Sequence, residues 1–277
     1  MRVCIIGLDG LEYTLVEKFQ LENLLQKEYG KIDLSEFDKK LTPPIWASFI
    51  TGLPPSKHGV HFETRWNNIL LNRFEKFFRT FHFSHIPLRR LFVALKFENK
   101  PYWFWLPEHI ETIFDVVKPS IALKIPSYNY FYDLYKEYSV LNVYAGKEPQ
   151  IKAEKRFWDL FTKEKDDCLK HLDTRNWKLF MAQFHITDSI GHMYAGNLSK
   201  MYECYVQMND FVNEVKQLLV GNTLVLIVSD HGMRPLESGV FGDHSDYGFY
   251  SSNFILNLRN PNITSFKRVI LDYAQRK

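Results

Sequence analysis

The chain has 277 residues, 45% of them hydrophobic, enough to bury the core of one large α/β domain or of a domain with a cap. A formal net charge of +3 is too small to mark a nucleic-acid binder, and no run of 18 apolar residues offers a membrane span. The opening MRVCIIGLDG lacks the basic and apolar regions of a secretion signal, and Cys4, Cys168 and Cys204 are too few and too far apart for a disulfide framework; buried free thiols and a cytoplasmic location are expected.

Residues 2–8, apolar and β-branched, read as a buried strand, and 11–27 as a helix. In KKLTPPIWASFITGLPPSKHGV, residues 39–60, paired prolines mark turns on both sides of a short helix at 45–51. The composition then shifts. Between residues 65 and 100 eight Lys or Arg face two Glu, a local net of +6, while Phe74, Phe77, Phe78 and Phe81 recur at roughly helical spacing. Residues 61–110 are therefore read as a small inserted helical cap. A lid attracting an anionic substrate, a packed cap with a solvated basic face, and a membrane-surface or nucleic-acid patch all fit that pattern.

Beyond the insert, 112–117 reads as a helix and 120–125 as a short strand. Residues 154–172 form a helix with Trp158, Phe161, Cys168, Leu169 and Leu172 on one face, and 179–186 is a second β-like run. The clearest helix is 197–219, where Leu198, Met201, Tyr202, Tyr205, Met208, Val212, Val215 and Leu219 make one stripe and Gly221 supplies the stop. Residues 223–229 and 250–256 read as strands and 265–275 as the last helix. The alternation predicts a mostly parallel sheet covered on both faces.

Three aspartates sit just past the β-like runs: Asp9, Asp188 and Asp230. A carboxylate there is costly unless a cation meets it. Parallel strands would bring all three to the edge where open α/β sheets bind ligands. His192 and His231 follow two of them at metal-ligand spacing, and His244 lies nearby in sequence. With Thr42 the candidate set is Asp9, Thr42, Asp188, His192, Asp230, His231 and His244. Carboxylate and imidazole suit Zn²⁺, with Mn²⁺ or Fe²⁺ as alternatives. Six of these ligands divide into two sites of three, and two dications form a clamp used in phosphoryl transfer. Three aspartates against two dications leave one positive charge, which a Thr42 alkoxide would balance. Taken singly, Asp9 could cap the helix that follows and Thr42 could be a turn or cap threonine. His185 reads as packing or support for the ligands, His58 and His61 as loop residues, and the cysteines as core.

DG at 9–10, TPPIWASFITGLPPSKHGV at 42–60, DSIGH at 188–192, SDHGM at 229–233 and GDH at 242–244 resemble the alkaline phosphatase superfamily, in its type I phosphodiesterase/nucleotide pyrophosphatase branch. The resemblance covers most of the chain in order and skips residues 61–110. It implies a three-layer α/β/α sandwich. Asp9, Thr42, Asp230 and His231 would hold one metal, and Asp188, His192 and His244 the other, which positions the hydrolytic water. Thr42 would be the nucleophile and carry a covalent phosphate. The implied partner is a small phosphate ester, possibly a nucleotide. Two positions depart from the branch: Glu63 stands, by ungapped count, where it has a phosphate-binding Asn, and Ile45 where it usually has Asn. A phosphomonoesterase or phosphomutase of the same superfamily is the alternative, though such mutases carry a large inserted domain and a Ser nucleophile. Sulfatases need a Cys or Ser converted to formylglycine. A non-catalytic binding protein on this scaffold is the reading from another class.

Overall fold

Strand β1 (Arg2–Leu8) shows how the sheet is built. Its side chains alternate, Val3 and Ile5 into one core and Cys4, Ile6 and Leu8 into the other, so both faces are covered. A computed structural model describes residues 1–66, 73, 99–103, 105–130, 139–219, 221–237 and 239–276, with backbone alone at 62–66 and 99–103. After β1 come α1 (Tyr13–Phe19), α2 (Glu22–Leu25), β2 (Glu28–Asp33), α3 (Thr42–Thr51) and α4 (Pro55–His58). Then follow β3 (Phe62–Trp66), β4 (Asn99–Trp103), α5 (Ile113–Val116), β5 (Ser120–Leu123), α6 (Leu141–Tyr144) and α7 (Gln150–Asp173). The remainder is β6 (Leu179–Phe184), α8 (Ile186–Tyr194), α9 (Leu198–Leu218), β7 (Thr223–Ser229), β8 (Met233–Pro235), β9 (Gly242–His244), β10 (Tyr247–Ser252) and α10 (Phe266–Gln275).

Six strands form the main sheet in the order β2-β10-β7-β1-β6-β5. Pairing is parallel from β7 to β5, and β10 runs antiparallel to both β7 and β2. On one face pack α7, α8 and α9, through Phe157, Phe161, Ile190, Tyr205, Phe211 and Val212. On the other pack α3, α5 and α10, through Trp46, Phe49, Phe114, Phe266 and Ile270. This is the expected three-layer α/β/α sandwich with a mostly parallel sheet. Among the described residues no helix is long and apolar enough to cross a membrane. The three cysteines are free and buried.

Several elements differ from expectation. The helix expected at 11–27 is two short ones, because Gln20 takes a left-handed conformation (φ 52°) and closes α1. Helix α3 starts at Thr42 rather than 45. Pro43 and Pro44 occupy its first turn, where a missing N–H costs nothing, so they begin the helix instead of marking a turn before it. Strand β2 had no apolar run to announce it, being a half-exposed edge strand. The last strand lies at 247–252, not 250–256: the Glu28 carboxylate accepts the N–H groups of Leu256, Asn257 and Leu258 and holds them in a loop. The flanks of the basic insert pair as an antiparallel ribbon, β3 with β4. The ends of the expected helical cap are thus strands, and the rest of its core, residues 67–72, 74–98 and 104, lies outside those described.

Candidate active site

Asp9 and Asp230 follow directly on β1 and β7, neighbouring parallel strands in which Gly7 pairs with Val228. Both carboxylates therefore reach the same carboxyl edge. Asp188 does not sit at the strand end. Strand β6 stops at Phe184, and Asp188 lies in the first turn of α8. There it is four residues before His192, which puts both on one helix face, with His192 Nε2 at 3.3 Å from Asp188 Oδ1. His231 follows Asp230, and the β8–β9 ladder pairs Met233 with His244, stacking the His231 and His244 rings at 3.6 Å. Thr42 opens α3 with its Oγ1 3.4 Å from both Asp9 Oδ1 and His231 Nε2.

All seven candidate residues thus converge. Asp9, Asp230 and His231 offer ligand atoms within 4.8 Å of one another, and so do Asp188, His231 and His244. His192 Nε2 stands 3.1 Å from His244 Nε2. His231 contributes to both groups, which the partition into separate triads did not anticipate.

The histidine tautomers follow from their partners. Nδ1 of His192 meets Gly242 O at 3.0 Å, that of His231 meets Gly232 O at 3.1 Å and that of His244 meets Lys40 O at 2.5 Å. A carbonyl can only accept, so each Nδ1 is the donor. Each Nε2 is turned toward the carboxylates, the arrangement by which backbone carbonyls fix metal-binding imidazoles. Asp9 is held similarly. Its Oδ2 accepts from His185 Nδ1 at 2.6 Å and from Gln183 Nε2 at 3.2 Å, which leaves Oδ1 facing Thr42 and His231. Burial pushes His185 down to about 3, so its ring is neutral. The side-chain amide of Gln183 was not singled out from the sequence. His58 ties α3 to its loop, through Ser48 Oγ at 2.9 Å and the Val60 N–H at 3.0 Å.

Burial and mutual repulsion dominate the electrostatics of the cluster. Burial, then the charges of Asp230 and Asp188, push the Asp9 carboxyl well above its ordinary range. Burial likewise pushes Asp230 up to about 6. Asp188 goes the other way. Burial opposes its ionisation, yet His192 and His244 hold it below the usual carboxylate range. His244, whose burial favours the neutral ring, is carried up to about 9 by Asp188. Both Asp230 oxygens and Asp188 Oδ1 are buried without a hydrogen-bond partner among the described residues. Metal ligands behave in this way, whereas structural carboxylates are satisfied. The residues therefore fit divalent ions.

Gly10 sets how closely β1 and α8 approach. It lies at φ +72°, and a Cβ there would stand 2.7 Å from Asp188 Cα. Gly10→Ala is expected to cost roughly 1–2 kcal/mol for the left-handed backbone alone, and more once Asp188 is displaced. Urea denaturation with an unchanged slope checks this. The cap that Asp9, taken singly, could supply comes from Glu12, whose carboxylate accepts the Thr14 N–H at 3.1 Å. Its spacing from Asp9 was visible in the sequence, but its partners near residues 233 and 245 were not.

The sequence model of the family described as type I phosphodiesterase/nucleotide pyrophosphatase matches residues 3–247. No curated protein matches the chain. Among solved structures, a Pyrococcus horikoshii protein is 11% identical, with 100% of this chain and 97% of that one covered at a TM-score of 0.55, which shows a shared fold. Murine ectonucleotide pyrophosphatase/phosphodiesterase 5 is 14% identical, covering 86% of this chain and 59% of that one, with a TM-score of 0.45. Phosphonoacetate hydrolase from Sinorhizobium meliloti 1021, in complex with phosphonoformate, is 14% identical over 87% and 59%, with a TM-score of 0.48. The chain thus spans about three fifths of the length of these last two proteins.

Proposed function

Because the chain belongs to the type I phosphodiesterase/nucleotide pyrophosphatase family, we propose that it is a two-metal phosphohydrolase that cleaves a small, nucleotide-like phosphodiester through a phosphothreonine at Thr42. One observation carries the reading. Three imidazoles donate Nδ1–H to backbone carbonyls and direct Nε2 at three buried aspartates beside the Thr42 hydroxyl. Asp9, Asp230, His231 and Thr42 would hold one ion, and Asp188, His192 and His244 the other, with Zn²⁺ preferred by this donor set over Mn²⁺ or Fe²⁺. Such ions, when bound, neutralise phosphate charge and lower the pKa of a coordinated hydroxyl or water.

The chain's own residues do the rest. Asp9, with Oδ2 occupied by His185 and Gln183, presents Oδ1 to Thr42. The Thr42 hydroxyl gives up its proton as its oxygen attacks phosphorus, the bond to the departing alkoxide breaks, and that alkoxide takes up one proton and leaves as the alcohol. Water then attacks the same phosphorus, the bond to Thr42 breaks, and one water proton restores the Thr42 hydroxyl. Two in-line displacements retain configuration. Of the first three residues of α3 only Thr42 has an N–H, since Pro43 and Pro44 have none, so this helix end offers an oxyanion a single backbone donor. Ile45 is wholly buried in the core and takes no part in binding phosphate. Free, buried thiols support a reducing compartment such as the cytoplasm.

Assays of a bis-aryl phosphate, an aryl phosphate and an aryl sulfate, each with Zn²⁺ or Mn²⁺ and after chelation, test the reading. The diester is expected to turn over fastest and chelation to abolish it. A faster monoester would favour the phosphomonoesterase alternative, and tightly bound metal with no turnover a binding protein.

A further inference from the structure

We infer that Glu12 is a positioning residue that locks the His231 and His244 segments together over Asp9, so that metal affinity depends on a carboxylate that touches no metal. This rests on the two-metal reading above. Glu12 stands three residues after Asp9 and is buried. Its Oε1 accepts from the Thr14 N–H at 3.1 Å, the Thr14 hydroxyl at 2.8 Å and the Tyr247 hydroxyl at 2.5 Å. Its Oε2 accepts from the Met233 N–H at 3.1 Å and the Ser245 hydroxyl at 2.6 Å. Met233 is two residues past His231, and Ser245 adjoins His244. One carboxylate therefore joins the loop bearing Asp9 to both segments whose imidazoles stack at 3.6 Å.

The surroundings are fitted to this clasp. Gly232 runs so close that a Cβ would stand 2.1 Å from Glu12 Oε2. The same glycine donates its N–H to Tyr247 O at 2.9 Å and accepts from the Ser245 N–H at 3.0 Å. An amide cannot replace the carboxylate. Hydroxyl partners can turn to accept from an NH₂, but the N–H groups of Thr14 and Met233 lie on different oxygens, so one of them always faces a donor. Lost support of this kind typically weakens metal binding about 10–100-fold.

The test compares Glu12→Gln with Glu28→Gln. Glu28 also clasps three backbone N–H groups but sits at the opposite end of the sheet, paired with Ser252 where Asp33 pairs with Tyr247. Zn²⁺ affinity is measured by competition with a chromophoric chelator on protein shown to be folded by circular dichroism. Glu12→Gln should bind Zn²⁺ at least about tenfold more weakly, and Glu28→Gln as wild type, though both lower the melting temperature. Equal affinity for Glu12→Gln and wild type, or equal losses for both variants, would overturn the inference alone. Wild type that binds no divalent ion would sink the two-metal reading instead. Should Glu12→Gln not fold, the Ser245→Ala, Tyr247→Phe double variant removes two of the five donors. It should weaken Zn²⁺ binding by a smaller factor, and unchanged affinity there overturns the inference equally.

Discussion

Replacing Thr42 with Ala should lower phosphodiester turnover by roughly 10³–10⁶-fold, the range seen when a covalent nucleophile is removed, while leaving most of the metal bound and the fold intact. The separation of effects follows from the local structure. Thr42 is the first residue of α3, and the N-cap is Leu41, so the Thr42 side chain does not cap the helix. Its Oγ1 contacts, at 3.4 Å to Asp9 and to His231, are too long to hold either ligand in place. Asp9 is secured from its other oxygen and His231 from Gly232 O, and neither support involves Thr42. Thr42→Ser keeps a hydroxyl at the same point and should retain a substantial share of activity. Acid quench during turnover of a labelled substrate should trap phosphothreonine in the wild type, phosphoserine in Thr42→Ser and nothing in Thr42→Ala. Near-full activity in Thr42→Ala would refute the covalent route.

The layered architecture was legible because β1, β6 and β7 are buried on both faces, so their apolar runs are continuous and need no partner to be recognised. The three aspartates stood out because each polar residue interrupts or closely follows such a run. For Asp188 the expected strand runs two residues too far, so the residue lies in the first turn of a helix and not at a strand end. The apolar stretch 179–186 carries the strand signal past Phe184, and only the i,i+4 relation with His192 betrays the helix that begins at Ile186. Local signals also misplaced the start of α3, since a proline pair marks a turn and a first helical turn equally well. The bonds that fix the imidazoles were invisible for a different reason. Gly242, Gly232 and Lys40 take part through carbonyl oxygens, and a carbonyl leaves no trace in residue type. Gln183 and Glu12 act over separations of 174 and 221 residues, respectively, which no local pattern reports.

Stripping metal from the protein should lower its melting temperature, and the deficit should widen as pH rises from 6 to 9. Asp230, pushed up to about 6 by burial, holds its proton more tightly folded than unfolded. Its contribution to metal-free stability is therefore full below the unfolded value near 4 and lost as pH climbs through 6. His244 has the same sign at higher pH. Against burial, Asp188 carries it up to about 9, so its contribution is full below pH 6.5 and disappears as pH approaches 9. Asp188 has the opposite sign: held below the usual carboxylate range, it contributes above about pH 4 and is lost only on acidification. Between pH 6 and 9 the metal-free protein accordingly weakens. Metal binding runs the other way, because ions compete with protons for His244 Nε2 and the carboxylates, so affinity grows with pH. Each ion at a hundred times its Kd adds about 2.7 kcal/mol, and that increment grows as affinity rises. Calorimetric scans of Zn²⁺-saturated and chelator-treated protein at pH 6, 7.5 and 9 measure the gap directly. A gap that stayed constant or narrowed would mean that the ion sits away from His244 and the buried aspartates, and the assignment of this cluster as the metal site would fall with it.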